Sequence, residues 1–497
     1  MTDHLELGER PLSIEDVVRV ARHGAEAHVS AAARERIGQG RRHLEEMLAR
    51  GERIYGVNTG VGGNVGISLA PEQMDTLQHN LVRHLSCATG DPLPRDVVRA
   101  ATLLRVATFV IGASAVRPEL VDALAALINR GVTPVVPRYG SVGASGDLMP
   151  SAYIARVLVG MGEAEFQGRR LAAVEAFAAA GLKPIRFAPK EALALINGTT
   201  VMTAVAALLL VDSFSVLTAL LAAVALSVEA LQAPDLPFQR RIHEWKAHPG
   251  QLAVAAFLCD LLEGSGYTQP SGGQACYSLR CAPQGLGPAW EALVDARPVI
   301  EREINSANDN PLIDPATGVM YKGGNFYGGH IARLLDGWKI DYAILANWGN
   351  ALMAVLVDDR FSAGLPVNLT PEPGANCGFK GMQLSVTSLA CAVRQMAGPS
   401  SIHALPTDQY NQDVVSLGMH AAVTATDALE CLRNETAMVL LASAQAVDLR
   451  GGPEKLGAGS RRVYDSVRQL ARFQDKDRPM EHEVAAVAAR IAAGQLL

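Results

Sequence analysis

The chain predicts a mainly α fold, in which a long central helical bundle follows a mixed N-terminal region. Three observations carry this. Alanine and leucine dominate the long uninterrupted segments while aromatics make up only 5% of the residues, a balance that favours helices packed on helices. Residues 201–233 are apolar nearly all round, as a helix at the centre of a bundle must be. Residues 331–357 and 414–446 are two further helical stretches of bundle length.

Residues 1–50 read as two amphipathic helices. Ser13-Ile14-Glu15-Asp16 has the form of a capping box, and the second helix carries Ile37, Leu44 and Leu48 among charges. Glycine and Asn-Thr punctuation makes residues 54–63, IYGVNTGVGG, a loop. Helices are expected over 74–85, 94–110 and 118–130, then a short extended run at 132–136. After Lys190 the character changes, and a threonine cap in Asn197-Gly198-Thr199-Thr200 opens the apolar run. A membrane span is the rival reading there, because residues 213–228 carry no charge. That stretch falls short of the roughly 20 residues a bilayer requires, and Asp212 and Glu229 bracket it. Residues 364–377 are a loop rich in Gly, Pro and Asn; Arg450-Gly451-Gly452-Pro453 breaks the last long helix; smaller helices follow at 460–473 and 480–493. The expected divisions are a mixed region at 1–196, a helical bundle at 197–450 and a helical tail at 451–497, forming one compact body with the tail peripheral.

Composition excludes several classes of function. The balance is mildly acidic, with no basic patch interleaved with aromatics, so nucleic acid is not an expected partner. The opening MTDHLELGER lacks an apolar signal core, making a cytoplasmic location the default. Seven scattered cysteines without a CxxC pair read as reduced, mostly buried thiols. No metal or nucleotide fingerprint occurs.

The chemistry centres on residues 137–150, PRYGSVGASGDLMP, where four small residues, Gly143 to Gly146, stand between the extended run and a helix expected to begin at Asp147. A flexible turn is one reading, since glycine supplies the dihedrals turns need. The order of residues permits another. A tight bend can press the Gly146 nitrogen onto the Ala144 carbonyl carbon; loss of two waters, one from the Ser145 hydroxyl, then leaves a 4-methylidene-imidazol-5-one (MIO). Such a ring is an electrophile made from backbone, a function proteins otherwise borrow from metals or cofactors.

The string GSVGASGDL closely resembles the signature of the histidine and aromatic amino acid ammonia-lyase family, and six more segments extend the likeness over about residues 50–450. The resemblance implies the lyase fold shared with fumarase and aspartase, the MIO group formed from Ala144, Ser145 and Gly146, no metal or nucleotide, and a homotetramer whose subunits share sites. IYGVNTG matches the family's tyrosine loop, making Tyr55 the base for the substrate β-proton. LALINGTT matches the asparagine segment, so Asn197 would bond the amino or carboxylate end. GQACYSLRCAPQ at 273–284 resembles the QDxYSLRxxPQ segment. Arg280 would clamp the carboxylate bidentately, with Tyr277 and Gln274 beside it; Ala275 replaces the family aspartate. EINSANDNP and GGNFYGG resemble two others, bringing Asn325 and Phe326 to the ring. In YNQDVVSLG, Gln412 stands where histidine-specific members carry glutamate, and a neutral amide suits a phenol or phenyl better than an imidazole.

Selectivity is expected to rest on His84-Leu85, which stands where tyrosine-selective members have His-Leu, phenylalanine-selective ones Phe-Leu and histidine-selective ones Ser-His. His84 can hydrogen-bond a para-hydroxyl while Leu85 packs the ring; a solvated histidine on a helix is the other reading. Val61 replaces a usual phenylalanine, and Lys380 falls where methionine is common. Facing the pocket, Lys380 would favour an anionic or polarizable substrate group; facing solvent, it would say nothing. The expected activity is a carbon-nitrogen lyase converting an aromatic L-amino acid, best tyrosine, to the trans-2-enoate and ammonia. Histidine-type and ergothioneine-type lyases, a 2,3-aminomutase and a helical pseudoenzyme are the rivals.

Overall fold

The computed structural model describes residues 4–269 and 274–497, so Gly273, at the head of the arginine segment, lies outside the described residues. Cα packing divides the described chain into two units, and four of the five divisions fall inside long helices, the fifth lying just beyond the helix Lys380–Met396. One unit comprises residues 1–208, 297–335 and 399–423; the other comprises 209–296, 336–398 and 424–497.

The first unit is mixed. Its opening residues form a strand, His4–Leu7, that pairs in parallel with Glu26–Val29 around the helix Ile14–Arg22. The sequence reading held only the helices here, because four-residue strands carry too little alternation to show. The capping box is real: Asp16 N–H donates to the Ser13 hydroxyl at 3.2 Å, and the Asp16 carboxylate accepts from the Ser13 amide at 3.1 Å. Helices Pro71–His84, Arg95–Phe109 and Pro118–Asn129 follow as expected, and Thr133–Pro134 is the extended run.

Gln78 ties this unit together. Fully buried, it donates to the Gly56 carbonyl at 3.1 Å and accepts from the Ala192 and Leu193 amides at 3.1 and 3.3 Å. One side chain thus joins the tyrosine loop to the helices Pro71–His84 and Glu191–Ile196.

The expected threonine cap is corrected. The helix Thr200–Ala230 begins on cue, yet the Thr199 hydroxyl donates to Glu303 at 2.5 Å and the Thr200 hydroxyl accepts from Arg105 at 3.1 Å. The amides of Val201 and Met202 are met by the Asp147 carboxylate at 2.8 and 2.9 Å. A carboxyl oxygen from a distant segment thus takes the capping place of a local hydroxyl at this helix N-terminus, where the first backbone amides lack partners within the helix.

The length argument against a membrane span is also corrected. Thr200–Ala230 has 31 residues and a mean hydropathy of 2.2, and Gly329–Val357 has 29 residues and 1.4, so both are long and apolar enough to cross a bilayer. In the first helix, 72% of the apolar window is buried within the chain itself, which explains its composition as a bundle core.

The second unit is built from helices. Ser213 and Tyr342 share a 2.6 Å hydrogen bond in its interior, and Ser227 meets Ser443 at 3.0 Å, so these four hydroxyls are paired. Trp348 donates its indole N–H to the Ser278 carbonyl at 2.9 Å, and Gly285 leaves the room that the Trp348 ring occupies. That contact anchors the short turn Tyr277–Arg280.

Two smaller expectations change. The last long helix runs Gly418–Arg450 rather than from residue 414; Leu417 N–H donates to the Val142 carbonyl at 3.1 Å instead, so a tertiary bond holds this stretch out of the helix. The seven cysteines are free, but none is buried: Cys87, Cys276, Cys377 and Cys391 are exposed and the others intermediate.

Candidate active site

The Ala144-Ser145-Gly146 turn is held by backbone on both sides. Gly143 and Gly146 pair across it, and both adopt positive φ, +77° and +72°, which favours glycine. The Gly198 amide donates to the Ser145 carbonyl at 3.0 Å, and the Gly198 carbonyl accepts from the Asp147 amide at 2.7 Å. A Cβ on Gly146 would collide with the Gly198 carbonyl and crowd the Phe326 carbonyl at 3.0 Å. The three residues therefore sit in a cradle that admits only a glycine at its third position. These features fit an MIO group made from these residues.

Ala144, Ser145 and Gly146 line a cavity of about 520 Å³. Tyr55, His84, Leu85, Asn197 and Gln412 line it too, as does Val61. Five segments, remote in sequence, thus converge on one space of the size small-molecule sites take.

Each side chain is set by its neighbours. The Gly62 amide donates to the Tyr55 hydroxyl at 2.9 Å and fixes the direction in which that oxygen points. His84 Nδ1 lies 2.9 Å from the Asn80 carbonyl. A carbonyl only accepts, so Nδ1 carries the hydrogen and, in the neutral ring, Nε2 is left as an acceptor. The Gln412 oxygen accepts from the Thr407 hydroxyl at 2.8 Å, which leaves its NH₂ free to donate elsewhere. Leu85 is buried. The Asn197 side-chain oxygen is buried without a hydrogen-bond partner although its residue lines the cavity, an acceptor that a bound group could satisfy.

The remaining predicted residues lie elsewhere. Asn325 lines a second cavity, of about 650 Å³, with Glu303, His330 and Arg333, and donates to the Ala307 carbonyl at 3.0 Å. Phe326 reaches the turn through its carbonyl. Gln274, Tyr277 and Arg280 belong to the second unit and cluster locally: Arg280 Nε donates to the Ala275 carbonyl at 2.9 Å, and its guanidinium carbon lies 4.6 Å from the centre of the Tyr277 ring. Tyr277 is 69% exposed. Lys380, also of the second unit, opens the helix Lys380–Met396 and is exposed.

Three charged residues escaped the sequence reading. Asp147, wholly buried beside the turn, has its carboxyl pushed up to about 7 by desolvation, against the pull of the Met202 and Val201 amides. Asp408 lines the cavity and accepts from the Gly63 amide at 3.3 Å, latching the tyrosine loop. Arg105 is buried behind Asn197, and burial lowers its guanidinium to about 10. Only Arg105 had left a signal: a lone charge in the apolar run TLLRVATFV. Among the described residues, no His, Cys, Asp and Glu side chains gather as metal ligands.

Known proteins of similar sequence and shape identify the family. Residues 12–469 match the family described as aromatic amino acid lyase. Over 484 residues the chain is 38% identical to histidine ammonia-lyase from Streptococcus sanguinis, covering 97% of this chain and 94% of that protein. Among solved structures, Pantoea agglomerans phenylalanine aminomutase superposes with a TM-score of 0.94 at 30% identity, covering 100% of both chains. The ergothioneine-degrading ergothionase of Treponema denticola gives 0.94 at 27% identity, again over 100% of both chains. The chain belongs to the aromatic amino acid lyase family and is a carbon-nitrogen lyase.

Proposed function

We propose that this lyase removes ammonia from an aromatic L-amino acid, with L-tyrosine as substrate and trans-p-coumarate as product. The observation that carries the choice is the bond from His84 Nδ1 to the Asn80 carbonyl, which leaves Nε2 as an acceptor on the cavity wall. A phenolic O–H is a donor and satisfies it; the phenyl ring of phenylalanine does not, and a site built around such a bond discriminates against the analogue lacking it.

In this reading Ala144, Ser145 and Gly146 carry the MIO group, which supplies an electrophile that turns the substrate nitrogen into a better leaving group. Tyr55 takes the β-proton, its hydroxyl oxygen held in place by the Gly62 amide. Leu85 packs the ring, Gln412 donates its amide hydrogen to the substrate, and Asn197 offers its unpaired oxygen to the ammonium. Arg280 binds the carboxylate from a second copy of the chain, with Gln274 and Tyr277 beside it, in a homotetramer; the exposure of Tyr277 supports this. Asn325 and Phe326 approach the ring from the other side. A cytoplasmic location belongs to the same reading.

A histidine-type lyase is the second reading, favoured by the 38% identity to a histidine ammonia-lyase. An imidazole N–H could donate to the same His84 acceptor. A substrate panel of tyrosine, phenylalanine, histidine and ergothioneine, followed by product absorbance, separates them: coumarate, cinnamate, urocanate and thiol-urocanate types differ in spectrum. A β-amino acid product would indicate an aminomutase. Faster turnover of phenylalanine or histidine than of tyrosine would overturn the tyrosine assignment.

A further inference from the structure

We infer that Arg105 is a positioning residue for closure of the Ala144-Ser145-Gly146 turn, acting through Asn197, Gly198 and Asn308; the inference rests on the ring-forming reading above. Gly198 grips the turn from both sides of Gly146, through its amide to Ser145 O at 3.0 Å and its carbonyl to Asp147 N at 2.7 Å. This grip needs something rigid behind it.

Arg105 and Asn308 supply that backing. One Arg105 nitrogen, Nη1, donates to the Asn197 carbonyl at 2.9 Å and to the Ala194 carbonyl at 3.2 Å, and lies 3.5 Å from Asn308 Oδ1. The other, Nη2, donates to the Thr200 hydroxyl at 3.1 Å. Residues 194, 197 and 200 are thus fastened to one guanidinium, and Gly198 lies within that span. On its far face Gly198 is pressed against Asn308, so closely that a Cβ there would strike the Asn308 side-chain oxygen and approach Arg105 Nη1 to 3.0 Å. Gly198 therefore cannot retreat from the turn.

A buried guanidinium is expensive to desolvate and is kept where its hydrogen bonds hold a geometry. Arg105 is 2% exposed and Asn308 is equally so. Closure asks for such a geometry. The Gly146 nitrogen must form a bond to the Ala144 carbonyl carbon; that carbonyl oxygen takes the Gly146 and Ser145 amide hydrogens and leaves as one water, giving a C=N bond to the Ser145 nitrogen, and the Ser145 hydroxyl leaves with the Ser145 α-hydrogen as the second, giving the methylidene C=C bond. The nitrogen starts as a poor nucleophile, so the reaction depends on the turn being held in a near-attack arrangement, and a misplacement of about 1 Å costs roughly 10²-fold in rate.

The test is intact mass, followed over time after a pulse of cell-free synthesis so that each chain starts with its ring unformed, for the wild-type chain, Arg105→Met, Arg105→Lys and Asn308→Ala, with far-UV circular dichroism to establish folding. The wild type is expected to become lighter by two waters. Arg105→Met is expected to fold and to lose them roughly 10²-fold more slowly, with Arg105→Lys recovering part of the rate. Loss of both waters by folded Arg105→Met at the wild-type rate overturns the inference. Should Arg105→Met fail to fold, Asn308→Ala decides in the same way: slowed loss supports the strut and an unchanged rate removes it. A wild-type chain of undiminished mass instead defeats the ring-forming reading itself.

Discussion

The Tyr55 hydroxyl accepts a hydrogen bond from the Gly62 amide at 2.9 Å, and the next amide along, that of Gly63, donates to Asp408. The hydroxyl oxygen is thereby fixed on the cavity wall, where a base for the substrate β-proton would stand. Tyr55→Phe removes the proposed base while keeping the ring. We expect kcat to fall by about 10²–10⁴-fold with KM changed far less, measured by steady-state product absorbance. A loss of less than tenfold would remove Tyr55 from the role of base.

His84→Phe replaces the Nε2 acceptor by an apolar ring beside buried Leu85. The expected outcome is a reversal of preference: kcat/KM for tyrosine falls and that for phenylalanine rises, changing their ratio by at least about 10²-fold. Competition between the two substrates reads the ratio directly. An unchanged ratio would mean that His84 is solvated in the assembled enzyme.

Gln78→Leu breaks three hydrogen bonds at one buried point, leaving the Gly56 carbonyl and the Ala192 and Leu193 amides without that partner. Each unsatisfied buried group costs about 1–3 kcal/mol. The variant should melt measurably lower and, because Gly56 follows Tyr55, lose activity below the melting transition as well. Calorimetry with parallel assays checks both; a lower melting point with full activity would show that Gln78 serves stability alone.

Glu435 gives the pH prediction. Burial raises its carboxyl from the ordinary 4.5 to about 9, opposed by the Asn350 amide. The folded chain then keeps a proton that the unfolded chain releases above 4.5. Stability from this residue is fully present below 4.5 and is lost as pH rises through about 9. Glu435→Gln should therefore resemble wild type near pH 5 and be the more stable at pH 9 to 10, by a few degrees in melting temperature, about 2–4 °C per kcal/mol. Thermal melts across that range test it, and parallel pH profiles for the two proteins would refute it.

Much of the fold was readable because its signals are local. Apolar periodicity marked the three long bundle helices and several N-terminal ones within a few residues, though not Pro249–Leu262, Ala282–Ile304 or Lys380–Met396, and the small residues from Gly143 to Gly146 announced a turn whose dihedrals only glycine adopts at ease. Strands of four residues and the start of the Gly418–Arg450 helix were not readable, since both depend on which distant backbone group offers a bond. The cysteines show the same limit from another side: residue type predicts average burial, whereas exposure of Cys391 depends on the face its helix turns outward, and Cys87 stands in the connection beyond the helix Pro71–His84.

The sequence by itself determined the helical class, the family and the turn at Ala144-Ser145-Gly146, because each is written in contiguous residues whose spacing or backbone freedom has a direct physical reading. Only the tertiary structure decided that Asp147 meets the amides of Val201 and Met202, that Asp408 latches the loop of Tyr55, and that Arg105 stands behind Gly198. Those pairings join groups from 54 to 345 positions apart. Charge and hydrogen-bonding capacity state that such a group needs a partner when buried, and the packing of the helices selects which one it meets.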